Sequence, residues 1–303
     1  MKIVFMGTIE FSRTILEKLH KAYPVGLIVT QPDAKIGRKQ IITPNVVKLF
    51  ADDNKIPTFQ PFKLYHDYQP IIDFKPDLII TAAYGQMIPK AVLSLCPALN
   101  VHGSLLPKRR GGAPIQRAII EGDKETGITI MYMAQKMDAG DIIKQRVVPI
   151  ENDTTTSLFK KMAQVGSDLL LEVMNDITKG EVKSYPQDES LVTFSYNLTK
   201  KDELLDFSKT SQEIINHLNG LLDEPGGSIF INKTRIKLYE VEKHDIISSA
   251  PPKTILSTDK NLIIKTLDGA LSILKLQEQG KRVMDVKDYL NGQRLFHKGE
   301  EIK

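Results

Sequence analysis

Short apolar runs rich in β-branched residues alternate with amphipathic stretches through the first half of the chain. Ile3–Met6, Val25–Thr30, Leu78–Ala82 and Leu99–His102 are runs of this kind, and their length and composition predict strands buried on both faces. Between them, Phe11–His20 and Pro44–Asp53 carry apolar residues at helical spacing. Such alternation predicts an α/β fold, a mainly parallel sheet with helices on both faces. Ile128–Met133 and Ile142–Val148 predict two further strands, joined by the short loop Lys136-Met137-Asp138-Ala139-Gly140-Asp141. A long helix should follow, capped near Asp153 or Thr154, with Leu158, Met162, Val165, Leu169 and Val173 forming a core stripe.

The pattern then changes. Periodicity fades into polar sequence with Pro186, which marks residues 181–203 as a linker between a domain at 1–180 and another at 204–303. In the second half short strands follow one another closely: Ser228–Ile231 and Arg235–Val241 flank Asn232-Lys233, and Leu262–Leu267 and Ala270–Leu276 flank Asp268-Gly269. Asp-Gly is a favoured two-residue hairpin turn, and closely spaced hairpins predict a small barrel or sandwich.

Two domains also suit a length of 303 residues. No apolar run approaches the roughly 20 residues that span a bilayer, so no membrane contact is expected. The apolar run at the N-terminus is too brief for a signal peptide and reads as an opening strand. One cysteine, Cys96, excludes an internal disulfide framework and any multi-cysteine metal site, which fits a reducing cytoplasm. Its apolar setting suits core filling better than catalysis. The net charge of +4 permits a polyanionic partner without demanding one. Local basic clusters are Lys35, Arg38 and Lys39; Lys108, Arg109 and Arg110; Lys200 and Lys201; and Lys281 with Arg282. Each alone also suits a solvated surface.

Polar chemistry concentrates at Asn100-Val101-His102-Gly103-Ser104, at the C-terminal end of a buried strand, where open α/β sheets bind ligands. Strand alternation sends Asn100 and His102 to one side and Val101 to the other. An amide and an imidazole so placed can donate to an oxyanion, and the imidazole can carry a proton. A histidine hydrogen-bonded at a strand end for structural reasons fits these residues as well. Asp138, on the glycine-bearing loop between two strands, is the natural third member, though Asp before Ala-Gly equally suits an Asx turn. The first strand ends in Gly7-Thr8-Ile9-Glu10, without the G-x-G-x-x-G spacing of a dinucleotide site. Gly111-Gly112-Ala113-Pro114 permits close backbone approach before a helix at Ile115–Glu121.

Asn100–Pro107, Arg110–Gln116 and Met137–Asp141 together resemble the signature of the folate-dependent formyltransferases. Thr30-Gln31-Pro32-Asp33, Gly37-Arg38-Lys39 and Thr43-Pro44 extend the resemblance toward the branch that acts on charged tRNA. Similarity runs on through Pro186-Gln187-Asp188-Glu189 to Pro251 and Gln277–Lys281. The resemblance implies a Rossmann-like catalytic domain and a smaller C-terminal OB-like β-barrel that helps hold tRNA. It implies transfer of the formyl group of 10-formyltetrahydrofolate to the amino group of methionyl initiator tRNA, with Asn100, His102 and Asp138 as catalytic residues and no metal. Ser104, Leu105, Leu106 and Pro107 look like the loop that binds the reduced folate. Arg38 and Lys39 look like part of an insertion that senses the acceptor stem, and Lys200 and Lys201 match a basic region that contacts tRNA. A loop of lysine, arginine and glycine around Arg38 is expected to be flexible without RNA. The chain departs from the family at Ile9, where proline is usual, and at Leu222–Gly227, where a Pro-Trp-Pro segment is common.

Two rival functions use the same residues differently. An amino-sugar N-formyltransferase would share the trio and the folate but would need no Arg38 loop, and a binding module would leave the trio idle. No heptad or repeat suggests assembly, so a monomer is expected.

Overall fold

The computed structural model describes residues 1–37, 39–292 and 295–303. The chain forms two units that interleave along the sequence. The first comprises residues 1–114, 125–149 and 159–196, and the second residues 115–124, 150–158 and 197–303.

In chain order the first half contains β1 (Ile3–Gly7), α1 (Glu10–Ala22), β2 (Val25–Val29), β3 (Ala34–Ile36), β4 (Ile41–Thr43), α2 (Val46–Asp53), β5 (Thr58–Phe59), α3 (Gln69–Phe74), β6 (Leu78–Ala82), α4 (Lys90–Leu93) and β7 (Ala98–His102). Then come α5 (Pro114–Ile120), β8 (Glu125–Tyr132), β9 (Ile142–Pro149) and α6 (Thr155–Lys179). Seven strands form one sheet in the order β5-β2-β1-β6-β7-β8-β9. Its first five strands run parallel, while β8 pairs antiparallel with both β7 and β9. β1 and β6 are buried along their whole length, which explains why they are written in continuous apolar residues rather than in alternation. The chain winds outward from β1 to β2 and β5, then returns across β1 to β6. The crevice between β1 and β6 is therefore a topological switch point, the place where open sheets of this Rossmann-like kind take ligands.

The helices obey the same local rules. Asn45 caps α2 by accepting from the amides of Val47 and Lys48. Leu158, Met162, Leu169 and Val173 of α6 are fully buried, as their spacing predicts. The segment around Arg38 contains a strand pairing that the sequence reading did not anticipate. Arg38 itself lies outside the described residues, but Ala34, Lys35 and Ile36 pair with Thr43, Ile42 and Ile41 in an antiparallel ribbon. A β-branched run, Ile41-Ile42-Thr43, on one side of the glycine favours this pairing.

The second unit carries α7 (Ser211–Asn219), β10 (Gly227–Ile231), β11 (Thr234–His244), β12 (Ile255–Ser257), β13 (Leu262–Lys265), β14 (Ala270–Glu278), β15 (Met284–Asp285) and α8 (Val286–Leu290). Its strands form an antiparallel half-barrel in the order β10-β11-β14-β13-β12, with β15 beside β14. Residues 299–303 bridge the open side. Phe230 and Lys303 exchange backbone bonds of 2.8 Å, and Ile255 donates to the Glu300 carbonyl at 2.8 Å.

Asn232 and Lys233 both take positive φ, 46° and 68°, as a two-residue hairpin turn demands. The second expected turn is longer. β13 ends at Lys265, and Thr266–Gly269 form the loop because Asp268 turns aside to accept from the Ser211 amide at 2.8 Å. Among the described residues no helix is long and apolar enough to cross a membrane.

Candidate active site

Asn100 and His102 stand on the last residues of β7, and the pleat does what their spacing requires. Val101 points the other way, toward α6, where Gly166 leaves room for its Cγ1. Register fixes the asparagine. Thr81 lies opposite it on β6 and donates its hydroxyl to Asn100 Oδ1 at 2.8 Å, so the amide NH2 faces the loops. His102 Nε2 lies 3.1 Å from the Arg109 carbonyl. A carbonyl can only accept, so Nε2 carries its hydrogen and Nδ1 is the nitrogen on the side of Asp138.

Asp138 meets both. Its Oδ1 is 3.7 Å from His102 Nδ1 and 3.4 Å from Asn100 Nδ2, and its Oδ2 accepts from the Gly111 amide at 2.8 Å. The side chains of His102 and Asp138 are 6% and 14% exposed, so their interaction is little screened. Asp138 has φ 49°, a left-handed conformation that Asp tolerates better than most residues. Gly140 lets this turn press against β8, since a Cβ there would lie 1.9 Å from the Tyr132 carbonyl oxygen. Gly111, at φ 123°, is equally constrained, because a Cβ would meet the Ser195 carbonyl oxygen at 2.6 Å. The structure therefore brings the three expected residues together. The arrangement offers an amide donor, an imidazole and a carboxylate side by side, a set suited to attack on a carbonyl.

The loop at 104–107 is moulded by β8 and β9. Thr129 donates to the Ser104 carbonyl at 2.6 Å, and Gln145 donates to the Leu106 carbonyl at 2.9 Å. Ser104 uses its hydroxyl on the Lys108 carbonyl at 2.8 Å, and Leu106 packs with Met131 and Ile142. Leu105 and Pro107 remain half-buried. On the other side of the trio, a cleft of about 540 Å³ opens beyond the ends of β1, β2 and β6, lined by Thr8, Ile9, Gln31, Phe62, Tyr84 and Gln86 among others. Ala83, in its wall, sits at φ 44°, and Phe62 is 84% exposed. Backbone held in a sparsely populated region beside a cleft is a common mark of function.

A formyl transferase family model matches residues 1–174, and the model of the formyl transferase C-terminal domain matches residues 197–294. The chain belongs to the formyl transferase family. Relatives include methionyl-tRNA formyltransferases of Lactiplantibacillus plantarum, 46% identical over 99% of this chain and 98% of that protein, and of Staphylococcus aureus, 41% identical over 99% of each. Among solved structures, HypX from Aquifex aeolicus in complex with tetrahydrofolic acid matches with a TM-score of 0.68 and 18% identity over 96% of this chain and 47% of that one. WlaRD, a sugar 3N-formyl transferase, matches at 0.66 and 21% over 93% and 99%. These two likenesses bear on the fold alone.

The basic clusters of this formyl transferase fare differently. Lys35, Lys39, Lys108, Lys200 and Lys201 are exposed, as a polyanion would require. Arg110 is not: it is 0% exposed, which removes it from the cluster with Lys108 and Arg109. Around the trio, Thr81 lies outside every motif read from the sequence and bonds Asn100, while Arg110 and Gln187, read only as parts of longer motifs, bond each other. Thr81 carries no local signal, since only its register opposite Asn100 gives it a role. Burial raises the Cys96 thiol to about 11, with Asp77 adding to the effect, so the formyl transferase holds it as an unreactive thiol.

Proposed function

We propose that this formyl transferase moves the formyl group of 10-formyltetrahydrofolate to the α-amino group of methionine on charged initiator tRNA. The observation that carries the chemistry is the convergence of Asn100 and His102 on one carboxylate oxygen of Asp138, at 3.4 Å and 3.7 Å. The names of relatives 41–46% identical over nearly the whole chain supply the acceptor.

In this reading the amine nitrogen attacks the formyl carbon, and the carbonyl oxygen gains charge in a tetrahedral intermediate. The Asn100 amide and protonated His102 stabilise that oxygen. Asp138 orients the imidazole and helps take the amine proton. The C–N10 bond then breaks, its electron pair stays on N10, and N10 receives a proton. The products are an N-formyl amine and tetrahydrofolate, and no metal is called for. Ser104 and Leu106 shape the folate-binding loop from within, while Leu105 and Pro107 offer it apolar surface. Lys39, Lys200 and Lys201, with Arg38, neutralise tRNA phosphates. Catalysis belongs to the first unit, which includes residues 159–196, and the second unit, with residues 197–303, holds tRNA. A cytoplasmic monomer completes the proposal.

The test is formyl transfer from 10-formyltetrahydrofolate to methionyl initiator tRNA, with elongator methionyl-tRNA and an amino-sugar nucleotide run alongside. Preference for the initiator is expected. Transfer to the sugar alone would overturn the acceptor while leaving the trio in place.

A further inference from the structure

Asp138 is useful only if its turn is held where the carboxylate meets His102, and the means of holding it comes from far along the chain. We propose that Gln187, oriented by Arg110, is a positioning residue that clamps the Met137–Gly140 turn and so sets the Asp138 carboxylate; the proposal rests on Asp138 acting in catalysis as read above.

Both amide hydrogens of Gln187 are committed to the turn. Its Nε2 donates to the Asp138 carbonyl at 2.8 Å and to the Gly140 carbonyl at 2.7 Å, gripping the main chain on either side of Ala139. Its Oε1 accepts from Arg110 Nε at 3.1 Å and from Nη2 at 2.8 Å. A guanidinium only donates, so Arg110 forces the carbonyl end of the amide toward itself and the NH2 end toward the turn. Glu189 accepts from the same Nη2 at 2.7 Å and is held in turn by Lys136 at 2.7 Å.

Arg110 acts on Asp138 by a second route. Its backbone is fixed by the Thr193 carbonyl at 2.9 Å and the Ser195 amide at 2.7 Å, and the next residue, Gly111, donates to the Asp138 carboxylate. The turn's main chain and the carboxylate are thus registered to one short segment. That matters because Asp138 sits in left-handed backbone, a conformation that persists in an L-residue only where its surroundings over-determine it. The arrangement is not one that stability alone would favour. Arg110 is completely buried, and its Nη1 has no hydrogen-bond partner among the described residues.

The test is steady-state formyl transfer by the full-length protein with Gln187→Met, Gln187→Glu, Asp138→Ala and the double variant Asp138→Ala/Gln187→Glu. Gln187→Met removes all four bonds at nearly constant volume. Gln187→Glu keeps the partner of Arg110 but turns an acceptor toward two carbonyls, which separates clamping from folding. Each single Gln187 variant is expected to lower kcat by about 30- to 100-fold, as a displacement near 1 Å does, with both KM values within about 2-fold. The melting temperature of Gln187→Glu should stay near that of the wild type. In the Asp138→Ala background Gln187→Glu should change kcat by less than about 2-fold, because a residue acting through Asp138 has nothing left to position. Wild-type kcat in Gln187→Glu would overturn the clamp, as would losses that multiply in the double variant. Both results leave the reading of Asp138 standing so long as Asp138→Ala is itself impaired. Full activity in Asp138→Ala would overturn that reading and the clamp together.

Discussion

Two short turns of the first unit carry charged residues, and they are held in opposite ways. The Met137–Gly140 turn is fixed by the Gly111 amide on the carboxylate, by Gln187 on two carbonyls and by Tyr132, whose amide bonds the Asp141 carbonyl at 2.9 Å. The ribbon of β3 and β4 is bonded mainly to itself, and Ile41 and Ile42 of β4 are 60% and 66% exposed. A lone two-stranded ribbon is only marginally stable in water. The contrast follows from what each would do. Charge developing beside Asp138 must meet groups already in place, whereas a surface that meets a macromolecule can be ordered by the encounter.

Removing a member of the trio should have the largest effect. His102→Ala or Asp138→Ala should lower kcat by about 10²- to 10⁴-fold with the melting temperature little changed, measured by single-turnover formyl transfer. Gly140→Ala attacks the same turn through its backbone. It should destabilise the protein by about 1–3 kcal/mol, seen in denaturant titration, because the new Cβ has no room against β8. On the ribbon, Lys39→Ala should leave stability and saturating kcat unchanged and reduce the salt slope of tRNA binding by about one. An equal loss of stability from Lys39→Ala and Gly140→Ala would erase the contrast.

The smallest effect is one of pH. Hydrogen bonds from Arg110 and Lys136 hold the Glu189 carboxyl down to about 2. A depressed carboxylate adds stability above its unfolded value of 4.5 and loses it as pH falls through the folded value near 2. The melting-temperature difference between wild type and Glu189→Gln should therefore shrink as pH is lowered from about 5 toward 2.

The strands and the shared side of Asn100 and His102 were legible because their signals are local, whereas Asp138, whose own neighbours suit an Asx turn, joined them only through the family resemblance. A buried run ending in Asn-x-His fixes two side chains by the pleat alone, and Asn232-Lys233 fixes a hairpin by its length. Arg110 was misplaced for the opposite reason. Next to Lys108 and Arg109 it looks like surface charge, and only Gln187 and Glu189, 77 and 79 residues away, explain its burial. The loop after β13 shows the same failure on a smaller scale, since the pull on Asp268 comes from Ser211. The pairing in the ribbon was also missed, because a glycine among cations hides its β-branched flank.

The interleaving of the two units limits how the molecule can be taken apart. Residues 115–124 and 150–158 belong to the second unit, where Ile120 packs on its core, Gly220 would meet Ile120 Cγ1 at 2.4 Å if it bore a Cβ, and Thr155 bonds the Gly220 carbonyl at 2.7 Å. A single cut before residue 197 therefore yields no two self-sufficient pieces: the downstream fragment loses two strips of its own wall, and the upstream fragment keeps apolar residues whose partners have gone. The second unit is a module in space but not along the polypeptide, and it can be transplanted only together with the chain that threads through it.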